Sequence, residues 1–153
     1  MSKELTVIDL QEQAESYRII AKACMNRRDI LKARIKTFKE EEAPRENIKN
    51  LEDEILSLEI QIPELLIKAS SLDAAEIVKV MTNLENAKQQ IEATTRKVLE
   101  AVQKFNDTKE VFRVLSLFIR LGAAIINTTA TGGTPAAQIA SLVSEVDNLT
   151  RNL

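Results

Sequence analysis

Apolar residues recur along this chain at alternating intervals of three and four, the period of one face of a helix and not of a strand. The longest such run carries Ile77, Val80, Leu84, Ala87, Ile91, Thr94, Val98, Ala101 and Phe105, and continues in phase through Thr108, Phe112, Leu115, Ile119, Gly122 and Ile126. No proline interrupts it. At about 1.5 Å per residue the run predicts one helix of roughly 75 Å, around which the other segments are organised.

Ahead of it lie two shorter seams. The first reads Val7, Leu10, Ala14, Tyr17, Ala21, Cys24, Arg28, Leu31, Ile35 and Phe38. Its start is signalled by Thr6 and Asp9, the two ends of a capping box, with Leu5 placed to staple onto Leu10. Arg28 is the one charge on this seam, and its long stem lets the head snorkel outward. The second seam reads Ile48, Leu51, Ile55, Leu58, Ile62, Leu65, Ala69 and Leu72. Pro44 suits its first turn, and the short Glu-Ala-Pro-Arg link predicts an antiparallel hairpin with the first helix. Pro63 predicts a kink or break near Ile62, because it removes one backbone bond and crowds the preceding turn.

Ser70 and Ser71 mark the next expected turn, and Asp73-Ala74-Ala75-Glu76 reads as a capping box with Leu72 stapled to Ile77. One local signal opposes a continuous long helix: Asn106 and Asp107 are poor interior residues, and Asp107-Thr108-Lys109-Glu110 is a second candidate capping box. Thr94 and Thr108 are expected to return their hydroxyls to the backbone. After Ile126 the run to Pro135 has loop composition. Pro135 opens a last helix bearing Ile139, Leu142, Val146 and Leu149.

The resulting expectation is all-α: an elongated antiparallel helical bundle of four to five helices, with coiled-coil-like heptad seams and one very long helix. It forms a single domain over 1–153, with helices at roughly 6–42, 45–70, 73–127 (with the competing break near 106) and 135–150. Three glycines and three prolines among 153 residues leave little material for turns, in keeping with that class.

Charge changes the picture locally, not globally. With 21 basic and 23 acidic residues the net charge is −2, so no long-range field draws the chain toward nucleic acid or anionic lipid. Eight basic residues fall between positions 18 and 39 against the single acid Asp29. The second helix answers with Glu46, Glu52, Asp53, Glu54, Glu59 and Glu64, so folding the hairpin at Pro44 brings opposite charges together. No aromatic interleaving for base stacking accompanies the basic run, and nucleic acid is not an expected partner.

Candidate chemistry is sparse. Without histidine there is no His-based triad and no Glu-x-x-His ligand pair. Cys24 is the single cysteine, so no internal disulfide or thiolate zinc site can be built, and its seam position reads as a small core residue. No catalytic, cofactor-binding or metal-binding residue is nominated, and no enzyme activity is expected. The Gly-rich turn Thr131-Gly132-Gly133-Thr134-Pro135 lacks the lysine and spacing of a phosphate loop. The start has no secretory-signal pattern and no ordinary spanning stretch is evident, so the cytoplasm is the expected location.

The functional signal is a mismatch of lengths. A first helix of about 37 residues paired with a third of about 54 leaves roughly 40 Å of overhang. That overhang is the most apolar part of the chain: 111–144 holds 34 residues with no acid and only Arg113 and Arg120 charged. A helix apolar nearly all round has to be buried. The expectation is a non-enzymatic interaction or assembly protein that uses residues 111–146 for self-association or partner binding. Phe112, Leu115, Phe118, Ile119, Leu121 and Ile125 are the expected contact residues. Two alternatives stand beside it. A break near Asp107 folds the apolar segment back into a five-helix monomer, or the 111–144 hairpin inserts into a membrane as a pore-forming or lipid-binding bundle.

Overall fold

The structure is a computed structural model that describes residues 3–75, 79–130 and 138–151. Among these residues five helices are found: α1 (Val7–Glu40), α2 (Arg45–Asp73), α3 (Ala87–Lys104), α4 (Thr108–Ala130) and α5 (Gln138–Thr150). The all-α bundle expected from the seams is therefore what forms. A small ribbon accompanies it, in which β1 (Glu4–Thr6) pairs antiparallel with β2 (Lys79–Met81) and places Leu5 opposite Val80. Both of those side chains are buried.

α1 begins as its sequence requires. The Asp9 amide donates to Thr6 Oγ1 at 3.1 Å and the Thr6 amide to Asp9 Oδ2 at 2.9 Å, so two otherwise orphaned donors are satisfied reciprocally. Leu5 and Leu10 are both buried beside this cap. α1 and α2 form the expected antiparallel hairpin, with the charge complementarity that their sequences imply. Arg18 meets Asp73 at 2.6 Å, Arg27 meets Glu54 at 3.5 Å and Lys32 meets Glu59 at 3.5 Å. Arg28 reaches outward to Asp29.

Three expectations about α2 need correction. The helix continues through Pro63 without the break expected near Ile62, because Ile62, Leu65 and Ala69 on both sides stay buried and tertiary packing outweighs one lost backbone bond. Ser70 and Ser71 lie inside α2. Asp73 ends that helix and spends its carboxylate on Arg18, so it does not cap the next one. The proposed staple partner Ile77 and Glu76 of the same box lie outside the described residues.

The very long helix is not formed. Its first part is the β2 strand and a turn, in which the Leu84 amide donates to Thr82 Oγ1 at 3.0 Å. Its centre is interrupted where Phe105 takes a left-handed backbone, φ 47°, and ends α3. Asp107 then caps α4, accepting from the Glu110 amide at 3.1 Å. The chain reverses there, and α4 returns along α2. At its far end α4 extends through Asn127 and Thr128, past the expected loop start.

The helices close in the order α1, α2, α4, α5, α3, with α3 back on α1. The core at their centre is built on Tyr17 and Phe118, whose rings stack with centroids 4.1 Å apart. Beyond Leu31 on α1 and before Glu54 on α2 no residue is buried, so the hairpin tip projects as a two-helix arm from the bundle. The threonines of the long seam also behave differently from expectation. Thr94 donates to Asp147 on α5 at 2.9 Å and Thr108 to Glu54 on α2 at 2.8 Å, so each hydroxyl ties two helices together.

Candidate interaction groove on α4 and α5

α4 is apolar on most of its circumference, and the fold uses most of that surface internally. Of the six expected contact residues, Leu115, Phe118, Leu121 and Ile125 are fully buried against the other helices of the same chain. In this fold they face the core, because the reversal at Phe105 folds the expected overhang back onto α2. Phe112 and Ile119 are partly buried and pack against the same core. Phe112 stands edge-on to Phe105, with ring centroids 5.7 Å apart.

What remains outside is a polar line on an apolar helix. Lys109, Arg113, Ser116 and Arg120 follow one another at intervals of four, three and four, and all four are exposed. α5 lies alongside and turns this line into the wall of an open groove of about 710 Å³. Phe112, Leu117 and Leu149 supply its apolar floor, while Glu145 and Asn148 stand on the α5 side. Arg113 is held by Glu110 at 3.0 Å. Among the described residues Lys109 and Arg120 carry no ion pair, so two of the three rim cations are uncommitted.

Of the nominated residues, the groove keeps only Phe112. The others that form it were not expected as contact residues from sequence, although Arg113 and Arg120 stood out as the two charges of 111–144 and Leu149 as a seam residue. On a helix with so few charges, Lys109, Arg113 and Arg120 fall on a single face. α5's contribution had no such signal, since nothing local sets which side of α4 it covers.

The chemistry available here is apolar contact bordered by cations on the α4 wall and by the carboxylate of Glu145 on the α5 side. Among the described residues no group of three or more histidine, cysteine or acidic side chains is placed to hold a metal. Burial pushes the Cys24 thiol up to about 12. It also raises the Tyr17 phenol well above its ordinary value, an effect partly offset by the Gly122 backbone. Neither group is placed or ionised to act as a nucleophile at neutral pH.

One helix segment, Thr108–Thr128, is long and apolar enough to cross a membrane, with a mean hydropathy of 1.6. A little over half of that window, 56%, is buried inside this fold. The Gly132-Gly133 turn of the membrane alternative lies outside the described residues. Compared with protein-family models, curated proteins and solved structures, the chain matches none.

Proposed function

We propose that this protein is a non-enzymatic helical interaction module whose α4–α5 groove receives an amphipathic helix flanked by acidic residues. The observation that carries the reading is the pairing of an apolar floor, Phe112, Leu117 and Leu149, with uncommitted cations at Lys109 and Arg120. An apolar helix seam fills such a floor, and acids beside that seam meet the rim. Helix-in-groove recognition of this kind takes its affinity from apolar anchors and its orientation from flanking charge.

The test is a fluorescence-anisotropy titration with a designed helical peptide carrying Leu and Ile at its seam and Glu beside it, against the same peptide with Lys in place of Glu. The acidic peptide binds, its affinity falls as salt is raised, and Lys109→Glu with Arg120→Glu abolishes binding. Equal binding of the two peptides, or binding untouched by the charge reversals, would overturn the reading.

A second reading, insertion of α4 into a bilayer, is supported by the composition of Thr108–Thr128. It requires the Tyr17–Phe118 stack to open first. Dye release from liposomes across pH and lipid charge decides it, and no release at any condition ends it.

A further inference from the structure

α2 carries two apolar seams. The inner one, with Leu58 and Leu65, is buried in the bundle. The outer one, Leu56, Ile60 and Ile67, is spaced by four and seven with Pro63 between, and its side chains are 59%, 63% and 53% exposed. Leu56 and Ile67 each lie two residues from Leu58 and Leu65, about 200° around the helix, so the outer seam faces away from the core. Acids border it. Among the described residues Glu52 and Asp53 carry no ion pair, and Glu64 reaches Lys68 only at 3.7 Å.

This is a helix of the chemistry the groove selects. On the rim Lys109 and Arg120, and on the seam Leu56 and Ile67, stand eleven positions apart, about 16 Å. Apolar floor meets apolar seam, and Asp53 and Glu64, also eleven positions apart, are spaced to meet Lys109 and Arg120, with Glu64 leaving Lys68 to do so. A chain cannot satisfy its own groove this way. Its α2 already packs beside α4, with Gln61 Nε2 3.4 Å from Ser116 Oγ, and the outer seam points away from that contact.

We propose that the occupant of the α4–α5 groove is the outer face of α2 from a second copy of this chain. The inference rests on the reading of the groove as a docking site for an acid-flanked helix. Two α2 faces meeting in parallel register would set Glu52, Asp53 and Glu64 against their own copies, a like-charge arrangement that disfavours a parallel α2–α2 pair. The contact joins two unlike patches, and in its heterologous form each copy offers α2 to one neighbour and its groove to another, so that association grows into a ring or an open chain.

Sedimentation velocity from about 10 µM to about 1 mM tests this on the full chain. Two variants block opposite ends of the contact, Ile60→Asp on the α2 face and Arg120→Glu on the rim. Both positions are exposed, and far-UV circular dichroism with a thermal melt verifies that each variant is folded. Wild type grows past dimer as concentration rises, and each variant alone associates about tenfold more weakly or not at all. An equimolar mixture of the two restores association and stops at a heterodimer, because the Ile60→Asp chain keeps its groove and the Arg120→Glu chain keeps its α2 face.

A wild type that stays monomeric, variants that associate as wild type does, or a mixture that fails to pair each overturns the proposal. The acidic peptide separates the two levels. Its binding to a monomeric wild type leaves the groove reading standing and removes the second copy as occupant, whereas failure of both removes both.

Discussion

The hydroxyl of Tyr17 lies 2.7 Å from the point a Cβ on Gly122 would occupy, and its ring carbon Cζ lies 2.8 Å from it. Glycine in a helix interior costs about 1 kcal/mol relative to alanine, yet here it is what lets α1 and α4 approach closely enough for Tyr17 to donate to the Phe118 carbonyl at 2.5 Å. Gly122→Ala is expected to destabilise the fold by about 1 to 3 kcal/mol, since a stacked ring has to give way. Combined with Tyr17→Phe, which removes the nearer atom, the cost falls short of the sum of the two single changes. Urea denaturation of the four proteins measures that coupling.

Phe118 separates a folded-back α4 from an overhanging one. It is fully buried on Tyr17, so Phe118→Ala is expected to cost about 3 to 5 kcal/mol and Phe118→Asp to abolish cooperative folding. Retention of far-UV helicity with loss of association in Phe118→Asp, the outcome for an exposed contact residue, would contradict this packing.

Glu54 anchors the corner where α3 ends and α4 begins. It is buried, accepts from Thr108 Oγ1 at 2.8 Å and faces Arg27, whose guanidinium lies 4.6 Å from the centroid of the Phe105 ring. Glu54→Ala leaves Arg27 partly buried without its counter-charge and is expected to cost about 3 kcal/mol. Thr108→Val, which removes one hydrogen bond, is expected to cost about 1 kcal/mol. Thermal unfolding ranks the two.

Alkaline pH tests the burial of Cys24 and Tyr17. Both folded-state values are raised by burial, so the folded chain keeps protons that the unfolded chain releases. Their contribution to stability is fully present below about pH 9, the ordinary thiol value, and is lost as pH rises toward about 12. Denaturation midpoints should fall across that window, and less steeply in Cys24→Ala. At pH 8 the Cys24 thiol should resist alkylation in the native protein and react once urea unfolds it.

Much of the α1–α2 hairpin was legible because its determinants are local. The Thr6 and Asp9 cap, the Pro44 turn and the opposite charges on the two helices each act within a few residues or across one short link. The break in the third seam was half legible. Asp107 carries a cap signal, but the seam keeps its phase through it, because α3 and α4 fold against the same core. Val80, Leu84 and Phe105 are buried as a strand residue, a turn residue and a left-handed cap residue respectively. Apolar spacing reports which side chains face the core, and it does not report whether the backbone between them stays helical.

Helix class, the hairpin and its charge pairing were determined by the sequence itself, since periodicity, capping chemistry and composition act through near neighbours. Only the tertiary structure decided which apolar surface is left over. The reversal at Phe105 turned the expected sticky end, Leu115 to Ile125, into the centre of the core. It left the outer seam of α2 and the cation-rimmed side of α4 facing solvent, because a helix with more than one apolar face can bury only those that its neighbours reach.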